Sequence, residues 1–152
     1  MMELLFDLLL PRDYLTVPMV RHLFGASLDR LGVAPECVEE LELAVTEACS
    51  NALKHAQAGE EQYEVTARVD GRSAEVTVTN LRPPSEVTEN PSVASLDAES
   101  GRGMLLMSHL VDNLSFKRNA DSTSVKLSKK LTLTETSVLA KLAPVSLARP
   151  TS

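Results

Sequence analysis

Two side chains in one short segment could carry out acid–base chemistry beside a metal ion. Glu47 and Asn51 are four residues apart, so on a helix they project from the same face. A positioned carboxylate can accept a proton, and carboxylate and amide oxygens are ligands that Mg²⁺ prefers. Taken alone, the spacing is more often the polar shoulder of an amphipathic helix, because short motifs match by chance.

A second candidate site is the pair Gly101-x-Gly103, with Arg102 between the glycines. Glycine allows a phosphate to approach the backbone, and the first turn of a helix presents unpaired N–H groups. Arg102 could add a charged contact. The alternative is a glycine hinge that turns the chain into the following helix.

Asn80, at the end of the alternating segment 74–78, is a third candidate. A polar residue that ends a strand beside a long loop could bind the edge of a ligand. The alternative is an asparagine that only terminates the strand, which is its usual meaning.

Hydrophobic periodicity predicts the elements that must position these residues. Asp70-Gly71 between two alternating runs is a strong hairpin signal. The order is β-α-α-β-β-loop-α-β-β, which predicts an α+β fold: a two-layer sandwich with a mixed, mostly antiparallel sheet and helices on one face. The expected elements are a buried strand at 3–10, helices at 16–31, 35–58 and from 100, strands at 63–69, 74–78, 114–117 and 123–131, and a loop at 80–100.

The helices are amphipathic, and their apolar residues recur every three or four positions. We expect the first helix to bury Val20, Leu23, Phe24, Leu28 and Leu31, the second Val38, Leu41, Val45, Ala48 and Ala52, and the third Met104, Leu105, Met107, Leu110 and Val111.

Length and composition restrict the function classes. The 152 residues predict one domain at 1–131 and a Ser/Thr/Pro-containing tail at 132–152, either poorly ordered or a short docked helix. A net charge of −6 and 3% aromatic residues argue against nucleic-acid and membrane-surface binding. Cys37 and Cys49 on one helix would lie about 18 Å apart, too far for a disulfide. The chain carries no signal-peptide pattern and no membrane-length apolar run, so we expect a cytoplasmic protein.

Taken together, the motifs resemble the Bergerat ATP-binding domain of gyrase, the ninety-kilodalton chaperone, histidine kinases and a mismatch-repair protein. Within that superfamily the chain is most similar to anti-sigma factors that are serine-protein kinases. The likeness spans about residues 5–131. It is carried by the N box Leu43–Ala56, the second glycine box Ser100–Met107, and the closing strand at Ser122–Val125.

The resemblance implies ATP and Mg²⁺ as cofactors and assigns roles to the candidate residues. Glu47 would be the general base for a substrate serine, and Asn51 would bind Mg²⁺. Gly101 and Gly103 would give backbone donors to the phosphates, and Thr123 would contact the adenine through water. The remaining positions expected at the nucleotide are His55, Asn80, Arg102 and Met104.

The first glycine box departs from the family pattern Asp-x-Gly-x-Gly. It reads Asn80-Leu81-Arg82-Pro83-Pro84, so asparagine replaces the adenine-binding aspartate and both glycines are missing. The carbonyl oxygen of an asparagine can still accept from the adenine amine, but without a negative charge. We therefore expect this chain to bind nucleotide more weakly than a family member with the intact Asp-x-Gly-x-Gly sequence.

The resemblance further implies an anti-sigma factor that sequesters a sigma factor and phosphorylates a serine of an anti-anti-sigma antagonist. It also implies a homodimer, with Arg21 on the first helix as a partner contact. The altered glycine box leaves open a non-catalytic binding module of the same fold. A detached histidine-kinase domain is a weaker alternative, because no helix with a phospho-acceptor histidine precedes the domain in this sequence.

Overall fold

The computed structural model of the chain describes residues 3–56, 61–81, 98–118 and 122–140. The element order is the predicted one. The strands and helices are β1 Glu3–Pro11, α1 Thr16–Arg30, α2 Pro35–Lys54, β2 Gln62–Asp70, β3 Ser73–Leu81, α3 Ala98–Leu110, β4 Asn113–Arg118 and β5 Ser122–Lys130.

The five strands form one sheet in the order β1-β2-β3-β5-β4. Every neighbouring pair is antiparallel, so the sheet is antiparallel throughout its described strands rather than mixed. Alternate residues of the two central strands β2 and β3 are buried, because helices cover one face of the sheet. The predicted α+β sandwich is confirmed. The predicted Asp70-Gly71 hairpin is also present, with Asp70 opposite Ser73 and Gly71 at a φ of 61°.

The core consists of small and aliphatic side chains between the helices and the sheet. The largest fully buried side chains include Tyr63, Phe24, Leu28, Leu41, Met107 and Leu127. The two cysteines lie on α2, are buried and are free, in agreement with the disulfide argument. Long aliphatic residues and alanines fill this layer because the chain has few aromatic residues.

Several sequence expectations were wrong in detail. β1 is not a buried strand: Leu5 and Leu9 are 59% and 57% exposed. Side chains of a strand alternate between the two faces of the sheet, and Leu5 and Leu9 lie on the face opposite to Leu4, Phe6 and Leu8, which pack against the core. Leu23 and Leu105 were expected in the core but are exposed. Helix α2 ends at Lys54 rather than 58, and Asn80 lies within β3. Of the expected loop at 80–100, residues 82–97 lie outside the described residues.

The first part of the expected tail packs against the turn between α1 and α2. Ala34 donates its N–H to the Thr132 carbonyl, Thr134 donates to the Gly32 carbonyl, and Ser137 Oγ donates to the Leu31 carbonyl at 2.6 Å. Ser137 and Leu139 are buried. Residues 131–140 are therefore part of the folded domain, while 141–152 lie outside the described residues.

Candidate functional site

Helix α2 carries the predicted acid–base pair along the edge of its buried face. Pro35 occupies the first turn, where its missing N–H is not needed, and Glu36 complements the helix dipole. Ala44, Val45, Ala48 and Cys49 are fully buried, while Glu47 and Asn51 are half-buried. The two polar side chains thus stand where the core meets solvent, as the helical spacing predicted.

Gly103 of α3 lies directly against both of these side chains. A Cβ built on Gly103 would be 2.8 Å from Glu47 Oε1, 3.2 Å from Asn51 Nδ2 and 3.4 Å from Asn51 Oδ1. Carbon atoms do not approach oxygen at 2.8 Å without displacement, so only glycine leaves both side chains where they are. The structure therefore brings together the N box and the second glycine box, which are separated by about fifty residues of sequence.

Helix α3 begins earlier than the sequence pattern predicts, at Ala98. Gly101 belongs to the first four residues, whose N–H groups have no partner within a helix. Gly103 is the sixth residue, where the N–H is normally bonded within the helix. Because Gly103 has no side chain, it leaves space for the side chains of Glu47 and Asn51. Arg102 is exposed, and Met104 is half-buried and packs against the core.

A row of polar residues crosses the helix-covered face of the sheet at the end near this site. Tyr63 on β2 lies opposite Asn80 on β3, Asn80 lies opposite Thr123 on β5, and Thr123 lies opposite Arg118 on β4. Two positions further along the strands the corresponding row is Val65, Val78, Val125 and Phe116. The polar character is therefore confined to one end of the covered face.

Asn80 is buried, with 7% of its surface exposed. Its Nδ2 donates to the Ala52 carbonyl at 3.0 Å. Ala52 lies in the last turn of α2, where carbonyl groups have no intrahelical partner, so this amide caps the helix. Because Nδ2 makes that bond, Oδ1 is the atom that an adenine amine could meet. Thr123 is half-buried on the neighbouring strand.

Sequence reasoning missed Tyr63 and Arg118 as members of this row. Tyr63 is fully buried, and its hydroxyl bonds Thr16 Oγ1. The Arg118 guanidinium carbon is 5.3 Å from the centroid of the Phe116 ring, within cation–π range. Strand parity could have found both residues, since each shares the inward side of its strand with the apolar residues.

Cys49 lies between Glu47 and Asn51 in sequence but points into the core. Burial raises the pKa of its thiol to about 12, an effect that a hydrogen bond with Tyr63 partly offsets. The pKa of Tyr63 is also raised to about 12, mainly by burial. Because the thiolate is the nucleophilic form, Cys49 does not serve as a nucleophile.

Two further candidates lie apart from this contact. His55 caps α2, is half-buried, and donates its backbone N–H to the Asn51 carbonyl. Arg21 is exposed on α1. Within the described residues, no group of three or more histidine, cysteine or acidic side chains is arranged so that it could hold a metal ion. No helix in the described part of the chain is long and apolar enough to cross a bilayer.

The oxygens present fit Mg²⁺ and phosphate rather than a softer metal. Glu47 and Asn51 offer one carboxylate and one amide oxygen donor beside a glycine, and Mg²⁺ is usually bound by one or two protein oxygens together with phosphates and water. Cys37 and Cys49, the thiols that a soft metal would choose, are buried elsewhere in α2.

Comparisons with known proteins agree with this geometry. The chain is 29% identical over 129 residues to the serine-protein kinase RsbW of Bacillus velezensis, covering 77% of this chain and 80% of that protein. It is 28% identical over 132 residues to the RsbW of Bacillus pumilus, covering 78% and 82%. The predicted likeness to serine-protein kinases is confirmed.

Two solved structures share the fold. The RsbU and RsbW domains of Rv1364c from Mycobacterium tuberculosis match with a TM-score of 0.66 and 17% identity over 84% of this chain, which spans 32% of that chain. The SiaB–SiaC complex from Pseudomonas aeruginosa matches with a TM-score of 0.56 and 17% identity, covering 82% of this chain and 88% of the other. The histidine kinase-like ATPase domain family matches residues 10–129. The chain belongs to the family of histidine kinase-like ATPase domains.

Proposed function

We propose that this chain is a protein kinase that transfers the γ-phosphoryl group of Mg-ATP to a serine of a small protein partner. The observation that carries the proposal is the contact of Glu47 and Asn51 with Gly103, which joins a carboxylate, an amide and a glycine of a helix N-terminal region in one place. Two relatives that match most of the chain are named serine-protein kinases.

Each residue at this contact has a separate task in the proposed reaction. Mg-ATP supplies the transferable phosphoryl group, and the metal neutralises charge on the phosphates. Asn51 Oδ1 binds the metal, and the N–H groups around Gly101 hold phosphate oxygens at the positive end of α3. Glu47 orients the substrate serine hydroxyl and accepts its proton. Arg102, which is exposed on α3, adds a cation near the phosphates.

The polar row at the end of the sheet is proposed to hold the adenine ring of ATP. Asn80 Oδ1 accepts from the adenine amine, and Thr123, on the neighbouring strand, holds a water under the ring. Met104 gives an apolar wall, and His55 lines the phosphate end of the site. The neutral amide at position 80 makes a weaker bond than the family's carboxylate would.

We further propose that the chain is an anti-sigma factor. It sequesters a sigma factor, and the phosphorylated serine belongs to an anti-anti-sigma antagonist, so that exchange of the two partners sets transcription. One of the solved structures that share this fold is a complex of SiaB with SiaC, which supports binding to a protein partner. The proposal includes a cytoplasmic homodimer and a partner contact at Arg21, which is exposed on α1.

A non-catalytic binding module of the same fold is the competing function. The observation that favours it is the loss of both glycines from the first glycine box, Asn80–Pro84. Such a module would bind its partner without using ATP.

Label transfer separates the two functions. The purified chain is incubated with γ-labelled Mg-ATP and a cleared extract of its host, and phosphoserine is then sought in proteins retained by the chain. The kinase proposal predicts label on the serine of a small retained protein, and no label with Glu47→Gln. Retention of a protein without label from the wild-type chain would establish the binding module instead.

A further inference from the structure

Of the four residues in the polar row, Arg118 is the cation, and the reaction proposed above gives it no role. It lies opposite Thr123, which lies opposite Asn80 on its other side. Directly opposed residues project from the same face of a sheet, so Arg118 is on the helix-covered face with Asn80 and Thr123. The side chain is half-buried, and its Nε atom is buried. The guanidinium therefore lies against the molecule rather than extending into solvent.

The polar row lies beside the contact between Asn51 and Gly103. Asn80 Nδ2 donates to the Ala52 carbonyl at 3.0 Å. Asn51 is the residue before Ala52, and its Nδ2 lies 3.2 Å from a Cβ built on Gly103. Both contacts therefore involve the last turn of α2. A ligand whose phosphates reach Gly103 can extend from there along the row toward Arg118.

Phe116 supports the guanidinium of Arg118. The two residues are two positions apart on β4 and share one face of the strand. The guanidinium carbon is 5.3 Å from the centroid of the Phe116 ring, within cation–π range. This contact orients the arginine before a ligand binds, which lowers the entropy cost of binding.

The spacing of the strands places Asn80 and Arg118 on two sides of a flat ligand. They are two strands apart, about 10 Å at a strand spacing of about 4.8 Å, and Thr123 lies between them. In the proposed function Asn80 Oδ1 accepts from the adenine amine, so the other side of the six-membered ring faces Arg118. On that side adenine presents a ring nitrogen that accepts hydrogen bonds, whereas guanine adds an amino group at position 2 that donates.

We propose that Arg118 binds the base of the nucleotide on the side away from its amine and selects adenine against bases with an amino group at position 2. A guanidinium donates hydrogen bonds and cannot accept them, so it matches the ring nitrogen of adenine and opposes a second donor. This contact offsets part of the binding that the neutral amide of Asn80 gives up relative to a carboxylate. The inference rests on the proposed binding of ATP, but it does not require phosphoryl transfer.

The test measures the Kd of three nucleotides by calorimetry in the presence of Mg²⁺. ATP and 2-amino-ATP both keep the amine that Asn80 would bind, and they differ by one amino group at position 2. The third nucleotide, 2-chloro-ATP, carries a substituent of similar size that does not donate. Arg118→Met removes the guanidinium. Lys117→Met is the matched control, because Lys117 is the preceding residue, is exposed, and projects from the other face of β4.

We expect the wild-type chain to bind ATP about tenfold more tightly than 2-amino-ATP, as for the loss of one hydrogen bond to a charged group. It should bind 2-chloro-ATP more tightly than 2-amino-ATP. In Arg118→Met the Kd of ATP should rise about tenfold, and the preference for ATP over 2-amino-ATP should disappear. Lys117→Met should keep the wild-type preference. A purely structural role of Arg118 would not change the ratio of two Kd values that differ by one amino group.

Equal Kd values of ATP and 2-amino-ATP for the wild-type chain would overturn the proposal, and so would a wild-type preference that persists in Arg118→Met. If 2-chloro-ATP binds as weakly as 2-amino-ATP, size rather than hydrogen bonding sets the preference, and the proposal is wrong. If Arg118→Met does not fold, Arg118→Gln gives the same decision, because an amide both donates and accepts. Absence of ATP binding by the wild-type chain overturns the proposed function together with this inference, whereas ATP binding without the preference overturns this inference alone.

Discussion

Gly103 lies on α3 and Glu47 on α2. The backbone of Gly103 leaves room for the Glu47 carboxylate and for little else beside it. The closest atom to a Cβ on Gly103 would be Glu47 Oε1, at 2.8 Å. Oε1 is the far end of a flexible side chain, so a methyl group at this position would move the carboxylate rather than the backbone. The glycine therefore bears on the placement of the proposed base more than on the stability of the fold.

Gly103→Ala tests this relationship. Alanine is favoured over glycine within a helix by about 1 kcal/mol, so we expect the variant to be folded and at least as stable as the wild type. Phosphate transfer should nevertheless fall by at least about tenfold, because a misplacement of about 1 Å can cost up to a hundredfold. Ser108→Ala on an exposed position of α3 is the control. A variant as active as that control would contradict the proposed placement of Glu47.

Asn80→Asp tests the cap on α2. A carboxylate cannot donate to the Ala52 carbonyl, and it would add negative charge near the C-terminal end of the α2 dipole. We expect a loss of about 1–3 kcal/mol in the free energy of unfolding at pH 7. The protonated acid can donate, so the loss should shrink as the pH falls. Urea unfolding at pH 7 and pH 4 measures this difference, and an equal loss at both values would exclude the cap.

The asparagine shows where sequence reasoning succeeded and where it ended. The N box, the second glycine box and the order of elements follow from motifs and periodicity, both of which are local. From the motif alone, Asn80 is only a weakened adenine ligand. Its bond to Ala52 depends on the distance between β3 and the end of α2, which no local pattern contains. The burial of Tyr63 beside Thr16 and Cys49 likewise joins three elements that are distant in sequence.

A second source of error was which side chains another segment covers. Leu5 and Leu9 belong to a run of leucines that looks like a buried strand, yet they face away from the helices on an edge strand. For the expected tail at 132–152, composition left a poorly ordered segment and a docked one both open; in the structure Ser137 and Leu139 are buried, and Ser137 Oγ donates to the Leu31 carbonyl at the end of α1. Composition does not show which surface another segment covers.

Gly32→Ala tests the docking of that C-terminal segment. Gly32 has a φ of 87°, and a Cβ there would lie 2.5 Å from both Cα and Cβ of Ser137. We expect a loss of about 3 kcal/mol, from left-handed strain of about 1–2 kcal/mol and overpacking of about 1–3 kcal/mol. Gly71→Ala is the matched control, because Gly71 has a φ of 61° and nothing within 4 Å of a Cβ. Equal losses in chemical denaturation would mean that the contact with Ser137 contributes nothing.

The buried thiol and phenol predict a loss of stability at alkaline pH. Burial raises the pKa of Cys49 from 9.0 to about 12 and that of Tyr63 from 10.0 to about 12. The unfolded chain releases these protons first, so the folded protein binds more protons and the free energy of unfolding falls as the pH rises from 9 to 12. Cys49→Ala should make this fall shallower, by at most about 1.4 kcal/mol per pH unit where the unfolded thiol is ionised and the folded one is not. Denaturant unfolding between pH 8 and 11 measures the slope, and equal slopes would contradict the assignment.

Calorimetric titration with ATP, in the presence and absence of Mg²⁺, tests whether Asn51, held against Gly103, binds the metal of a nucleotide complex. We predict that the wild-type chain binds ATP more tightly with Mg²⁺ than without it. Asn51→Ala should remove most of that difference, whereas Glu47→Gln should keep it. Absence of binding heat from the wild-type chain at millimolar Mg-ATP, or an Mg²⁺ effect that is unchanged in Asn51→Ala, would contradict the account.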